Sequence, residues 1–355
     1  MASVTATHVD RLAEIDADAP PEAQFTAFAR LSGCREGRTK QGEVYADVDL
    51  ADVTRAVEGK IWSSAPKALA VAKGIERGTA VKELFEVRTY KGAVQLNVKG
   101  MRVAEPGEDG FQSSRIWGEG HSLVSDVLAS TLVFDIETVP DTSIRALPPT
   151  IAQAVTRAAE RQDGEDGKVM SLSPWFGKIV SLAFADASRP ADDMPVTVLA
   201  VPPENALPQV PGYVRLVSER VLLECFWALA EHADVVVTFN GRNFDVPFVV
   251  VRSLVHGVSA RKDLLSNPWG TRPHLDLYRL LTNGSNSLGP SSLDVVCWSL
   301  GLTSPKGSMD GSMVAPTYAR GDLATIAEYN AGDVRATAEV YRRVEGSILS
   351  FRSDW

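Results

Sequence analysis

The chain has 355 residues, 45% of them hydrophobic, and a formal net charge of −9 at pH 7. That length is room for two domains of roughly 100–200 residues each, and the negative balance excludes a protein that coats nucleic acid indiscriminately. No apolar run approaches the ~20 residues of a membrane helix, and the first thirty residues carry acids and no apolar h-region, so no secretory leader is read. The three cysteines, Cys34, Cys225 and Cys297, are scattered without metal or disulfide spacing, and a reducing, cytoplasmic setting is expected.

The charge is uneven. Residues 31–103 hold 13 Lys and Arg against 9 Asp and Glu, a balance of +4, which leaves −13 for the remainder. Ordinary solvated surface accounts for so small a difference as well as a basic functional face does.

In chain order, residues 1–30 read as an N-terminal extension, rich in Ala and acids, with a short helix at PEAQFTAFAR. Residues 31–103 read mainly as strands. In GEVYADVDL, Val44, Ala46, Val48 and Leu50 alternate with Tyr45, Asp47 and Asp49. In VKELFEVRTY, Val81, Phe85 and Val87 share one parity and Lys82, Arg88 and Tyr90 the other. After a turn at Lys91 and Gly92, Val94, Leu96 and Val98 alternate with Gln95, Asn97 and Lys99. A period of two marks strands with one buried face. APKALAVAKG, ended by Gly74, reads as a helix between them. Strands interrupted by one helix suggest a small all-β barrel.

AEPGEDGFQSS opens a linker at 104–120. From 121 to 355 strands alternate with helices. The strands are TLVFDI, KIVSLAFA, PVTVLAV and DVVVTFN; the helices are 213–232, a segment after Asp245, 291–301 and 322–345. This is an α/β pattern around a largely buried sheet. Residues 141–170, with the run ERQDGEDGK, read as a surface insertion.

In TLVFDIETVP an apolar run carries Asp135 and Glu137, two apart and so on one strand face. Two bare anions held together pay desolvation and repulsion, and a divalent cation relieves both. Taken alone, the pair reads more simply as an exposed strand end or a turn cap. Asp245 follows an apolar strand and a Gly-containing loop at a helix start, where a capping acid stabilises by about 1 kcal/mol. Tyr329 and Asp333 are i and i+4 on the last helix and share a face. Together Asp135, Glu137, Asp245 and Asp333 have the hard oxygen donors that suit two Mg²⁺ or Mn²⁺ ions. Two such ions can act on both sides of a phosphodiester.

FDIET, TFNGRNFD and YNAGD resemble the three motifs of the DEDD 3′→5′ exonucleases, whose fold is ribonuclease H-like. The spacing of Tyr329 and Asp333 resembles the tyrosine branch. The likeness extends through LSPWFGKIVSLAFA, HLDLYRLL, SSLDVVCWSLGL and KGSMDGSMV to the predicted exonucleases similar to the proofreading domain of family B DNA polymerases, over about 130–345. The resemblance implies that Asp135, Glu137, Asp245 and Asp333 are metal ligands and that Tyr329 positions the attacking water. No polymerase domain follows Trp355, so proofreading in cis is not expected.

Asn240, Asn243 and Thr138 are candidates for contacts to the terminal nucleotide, each with a loop or capping role as the alternative. His274 and Asp276 are read as structural, Asp294 as part of a capping box with Ser291, and Lys306 as a candidate edge of the substrate groove.

TKQGEVYADVDLADVT, GKIW and VKELFEVRTYKGAVQLNVKGMRV resemble the OB-fold nucleic-acid-binding domains. The polar faces offer Arg88, Tyr90, Gln95, Asn97 and Lys99, with Tyr45 as a ring for stacking at ~1–3 kcal/mol per base. Trp62, on the parity of Lys60, reads as core or as a second stacking ring.

The expectation is a metal-dependent 3′→5′ exonuclease acting on single-stranded nucleic acid with a free 3′ end, DNA in preference to RNA, behind an OB-fold that holds the strand. A 3′→5′ exoribonuclease, an inactive nucleic-acid-binding adaptor, and a barrel that contacts a protein partner are the alternatives.

Overall fold

The computed structural model describes all residues except 1–5, 91, 162–163, 205, 207, 268, 286–288, 305–308 and 354. Lys91 and Lys306 therefore lie outside the described residues. Two compact units divide the chain, Met1–Glu119 and Gly120–Trp355.

The first unit contains β1 (Thr7–Val9), β2 (Gln24–Arg38), β3 (Val44–Ala51), β4 (Ala56–Trp62), α1 (Pro66–Gly74), β5 (Ala80–Tyr90), β6 (Ala93–Val103) and α2 (Ser113–Trp117). The strands run β2-β3-β4-β6-β5, and β5 pairs back onto β2, closing a five-stranded barrel with β1 as an added edge. This is the connectivity of an OB-fold, with α1 between its third and fourth strands. The period of two acts as expected: Ala46, Val48, Leu50, Val81, Phe85, Val87, Leu96 and Val98 are all buried in one core. α1 begins with a proline and covers that core with Ala68, Leu69 and Ala72.

The expected helix at PEAQFTAFAR is instead the start of β2, so the barrel opens inside the stretch read as an extension. Gln24 to Arg30 pair with Glu86 to Ala80 of β5. The alternation of Gln24, Thr26 and Arg30 with Phe25, Ala27, Ala29 and Leu31 is broken by Phe28, which is apolar on the polar parity. Ala27, Ala29 and Leu31 enter the barrel core. Phe28, on the other face, packs with Ala80, Ala104, Ile116 and Phe111, its ring 5.4 Å from that of Phe111. The expected linker thus supplies side chains to the first unit. The alternation also sends one acid inward: Glu83 shares the parity of Val81 and Phe85, is 1% exposed, and neither of its carboxyl oxygens has a hydrogen-bond partner.

The second unit opens with α3 (His121–Val124) and β7 (Thr131–Pro140). Next come α4 (Pro149–Arg161), α5 (Asp166–Leu172), β8 (Gly177–Asp186), β9 (Thr197–Ala200) and β10 (Val214–Leu216). They are followed by α6 (Glu219–His232), β11 (Val235–Thr238), α7 (Asp245–His256), β12 (His274–Asp276) and α8 (Leu277–Thr282), and then by α9 (Leu293–Leu300), α10 (Val314–Ala319) and α11 (Leu323–Ser347). The sheet order is β10-β9-β8-β7-β11-β12, with β8 antiparallel to both neighbours and β11 and β12 parallel to β7. Helices cover both faces, which gives the expected ribonuclease H-like α/β unit. On one face Leu132, Phe134 and Ile136 of β7 pack with Leu222, Phe226 and Trp227 of α6. On the other, Val133 packs with Ile326, Val334 and Val340 of α11. Fully burying side chains of this kind stabilises by about 1.5–3 kcal/mol each.

Three local readings change. The 213–232 segment begins as strand β10, and its helix starts only after Ser218, whose hydroxyl caps the Val221 N–H. The 141–170 segment is more than a surface insertion, because Met170 of α5 is buried and the Ser171 carbonyl is tied to β7. The cap of α9 is Ser292 rather than Ser291, while Asp294 accepts from the Ser304 hydroxyl.

Candidate active site and nucleic-acid face

β7 lies inside the sheet, and its alternation decides where the paired acids point. With Leu132, Phe134 and Ile136 turned to α6, the opposite parity turns Asp135 and Glu137 to the α11 side. There Asp333 meets them: carboxylate oxygens of Asp135, Glu137 and Asp333 all lie within 4.8 Å of one another. Asp245, the first residue of α7, is 4% exposed, and its Oδ1 accepts the backbone N–H of Ile136 at 3.2 Å, between the two β7 acids. The loop that delivers it is tight. Asn240 has φ 66°, and a Cβ on Gly241 would come within 2.5 Å of Thr238, so only glycine fits there.

Burial raises the pKa of Asp135, and Asp245, Asp333 and Glu137 raise it further, while the Asn330 amide opposes the rise. Burial and the charges of Asp333 and Asp245 act the same way on Glu137. Asp245 is pushed up to about 7 by burial, against its own backbone N–H and that of Ile136, with Asp276 and Asp333 adding repulsion. Such a gathering of hard oxygen donors, costly when bare, fits a divalent cation of the Mg²⁺ or Mn²⁺ type.

Two residues that sequence reasoning passed over support the site. Asn330 is fully buried and donates through Nδ2 to Asp135 Oδ2 at 2.7 Å; its Oδ1 accepts from the Ser181 hydroxyl at 2.8 Å. Ser181 is the β8 partner of Glu137 in the ladder. The signal was present, since Asn330 stands inside YNAGD, but nothing in the sequence says which strand it faces. Tyr329, one turn before Asp333, packs partly into the core, and burial together with Asp333, Glu137 and Asp135 lifts its hydroxyl well above the usual tyrosine range.

Thr138 is buried and its hydroxyl donates to the Ser171 carbonyl at 2.7 Å, which ties α5 to β7. Asn240 and Asn243 are joined by a 2.8 Å hydrogen bond from Asn243 Nδ2 and border a groove of about 530 Å³ whose other walls include Phe239, Tyr278 and Ser292. His274 and Asp276 are structural. His274 bonds Thr238 and faces the Leu264 carbonyl, and burial and Arg242 lower its pKa to about 3. Asp276 caps α8 and also accepts the N–H groups of Asn240 and Arg242.

On the barrel, β3, β4, β6 and β5 present one outward row. Tyr45 pairs with Trp62 and Asp47 with Lys60 across β3 and β4; Lys60 pairs with Asn97, and Asn97 with Glu86. The Tyr45 and Trp62 rings lie 5.6 Å apart, Lys60 Nζ sits 4.2 Å over the Tyr45 ring, and Trp62 is 37% exposed. Trp62 is therefore a surface ring. The expected phosphate-binding groups are not bare. Arg88, Asn97 and Lys99 converge on Glu86 Oε2 at 3.1, 2.9 and 3.3 Å, and Lys60 pairs with Asp47 at 3.1 Å. Partial burial opposes ionisation of Glu86, but those three donors hold its pKa below the usual value. Gln95 sits opposite Arg88, and Tyr90 is exposed at the end of β5.

A family model described as "Predicted 3'-5' exonuclease related to the exonuclease domain of PolB" matches residues 175–351. The matched span includes Asp245, Tyr329 and Asp333 and begins after Asp135 and Glu137. Similar solved structures include the family B DNA polymerase of the hyperthermophilic archaeon Pyrobaculum calidifontis, at 14% identity and a TM-score of 0.41, over 90% of this chain and 46% of the polymerase. A domain of replication protein A from Methanococcus maripaludis matches at 15% identity and a TM-score of 0.22, over 28% of this chain and 97% of that domain. The mitochondrial single-stranded DNA binding protein Rim1 of S. cerevisiae matches at 14% and 0.21, over 24% and 97%. The chain thus spans slightly less than half the length of the polymerase it matches. Residues 175–351 thus form a predicted 3′-5′ exonuclease domain related to the exonuclease domain of PolB.

Proposed function

We propose that the protein is a metal-dependent 3′→5′ exonuclease that removes nucleoside 5′-monophosphates from single-stranded nucleic acid, DNA in preference to RNA. The observation that carries the reading is the meeting of Asp135, Glu137 and Asp333 within 4.8 Å, with Asp245 bonded to the peptide between the first two. These four acids would hold two divalent cations, which when bound lower the pKa of an attacking water and neutralise the leaving 3′ oxygen.

The remaining steps fall to the chain's own side chains. Asn330 holds the Asp135 carboxylate in one rotamer and is itself fixed by Ser181. Tyr329 keeps its proton at neutral pH, so it orients the attacking water as a hydrogen-bonding group and does not serve as the base. Asn240 and Asn243, on the groove wall, offer an amide donor and an acceptor to the terminal sugar and phosphate.

In the first unit, the Tyr45 and Trp62 rings with Lys60 form a platform on which bases of the strand stack. Tethering such a platform to the nuclease raises the local concentration of substrate, so modest affinity lengthens degradation runs.

The test uses 5′-labelled single-stranded DNA and RNA with Mg²⁺, Mn²⁺ or EDTA, beside Asp135→Ala. A ladder that shortens from the 3′ end, absent in EDTA and in the variant, is expected. Faster loss of RNA would move the reading to an exoribonuclease. Binding without cleavage under every metal condition would end it.

A further inference from the structure

A second cleft, of about 110 Å³, opens beside β12 and α8, lined among others by Arg242, Trp269, Thr271, Asp276, Arg279 and Arg352. It shares the 239–245 loop with the acid site, because Asp276 on its wall accepts the Asn240 N–H at 2.9 Å. Among its described lining residues are three guanidinium groups and one carboxylate, where the acid site gathers carboxylates. That carboxylate is already occupied by three backbone N–H groups, those of Asn240, Arg242 and Arg279.

The cations are built in. Arg242 is buried and its guanidinium hydrogen-bonds the carbonyls of His274 and Leu264, at 2.7 and 3.4 Å, while Asp276 and Asp263 act on it through their charge. Arg279 stacks its guanidinium 4.3 Å from the centre of the Trp269 ring. Its Nε is buried without a hydrogen-bond partner, and among the described residues it has no carboxylate partner. A half-buried guanidinium left in this way is a donor set waiting for an anion, because buried donors in folded proteins are almost always paired. Trp269 is 66% exposed, so the ring face away from Arg279 is open.

We propose that this cleft is a nucleotide subsite separate from the four-acid centre. Arg279, supported by the fields of Arg242 and Arg352, takes a phosphate group, and the open face of Trp269 takes the attached base. The space suits a phosphate, with room for about three to four waters at ~30 Å³ each, and is too small for a whole nucleotide, which would need roughly 300 Å³ or more. The base therefore lies outside, on the indole. The phosphate comes either from the bound strand upstream of the 3′ end or from a released mononucleotide. The choice of a nucleotide over another phosphorylated molecule rests on the exonuclease reading; the anion site and the platform do not.

The test measures binding by the full chain in EDTA, where turnover is not required. The probes are dAMP and fluorescent oligothymidylates of three and twelve nucleotides; the variants are Arg279→Gln, Arg279→Lys and Trp269→Ala. The expected result is binding weakened five- to tenfold in Arg279→Gln and Trp269→Ala, with Arg279→Lys between. The salt slope of twelve-mer binding should fall by ~0.7 in Arg279→Gln, as for one lost phosphate contact. A loss confined to the twelve-mer assigns the strand, and a loss for dAMP assigns the released nucleotide. Wild-type affinity for all probes in folded Trp269→Ala and Arg279→Gln overturns the proposal, and Trp269→Ala decides alone if Arg279→Gln does not fold. A protein that cleaves DNA but shows unchanged binding sinks the subsite and spares the exonuclease. One that binds through Arg279 but never cleaves does the opposite.

Discussion

Glu83→Gln tests the inward acid of the barrel. Burial, with the Asp52 carboxylate nearby, pushes the Glu83 pKa from 4.5 up to about 8. Below pH 4.5 the folded and unfolded chains both carry this proton. Between 4.5 and 8 the folded barrel keeps a proton that the unfolded chain has released. Stability is therefore fully present below 4.5, falls by about 1.4 kcal/mol per pH unit as pH rises, and levels off above 8. Across the whole interval the loss reaches about 5 kcal/mol, of which about 1.4 kcal/mol falls between pH 7 and 9. Glutamine keeps the shape and cannot ionise. Unfolding free energies from hydrogen exchange of β5 and β6 amides, corrected for intrinsic exchange and compared between wild type and variant, cancel every other titration. The variant's advantage is expected to grow by about 1.4 kcal/mol from pH 7 to pH 9. An advantage equal at the two values would refute the assignment of Glu83 as a protonated interior acid.

Asn330→Ala removes the donor to Asp135 and leaves the buried Ser181 hydroxyl without its acceptor. A hydrogen bond to a charged group contributes ~1.5–3 kcal/mol, so kcat/KM at fixed Mg²⁺ should fall about 10- to 150-fold, and Ser181→Ala should fall less. Steady-state kinetics of the two variants check this; wild-type kinetics in Asn330→Ala would show that Asp135 needs no such support. Glu86→Gln frees Arg88 and Lys99 from the carboxylate on which they converge. Affinity for a labelled oligothymidylate, read by anisotropy in EDTA, should rise, and its salt slope should steepen by ~0.7 for each cation that then reaches a phosphate. Unchanged affinity and slope would place the strand elsewhere on the protein.

Much of the fold was legible because alternation is a local property. The strand patterns of β3, β5 and β6, and the apolar run of β7, each followed from which residues must avoid water. The start of β2 was not legible. Gln24, Thr26 and Arg30 do alternate with Phe25, Ala27, Ala29 and Leu31, but Phe28 breaks the polar parity by packing outside the barrel, and the Ala-containing stretch read as helix. Glu83 was the opposite case: its parity already placed it inside, but an acid in a strand is usually taken as solvated. For the active site, the spacing of Asp135 with Glu137 and of Tyr329 with Asp333 specified pairs on shared faces. It did not bring the pairs together.

What the sequence by itself determined is the set of facing directions: which side chains turn from water and which acids share a strand face. What only the tertiary structure decided is convergence. Asp135 and Asp333 are separated by nearly two hundred residues, and it is the packing of α11 on one face of the sheet that brings their oxygens together. The same holds for the Asn330–Ser181 brace and for the three donors around Glu86. Periodicity fixes a side chain's direction within its own element, whereas contacts between distant elements depend on how whole faces dock, and local spacing does not encode that.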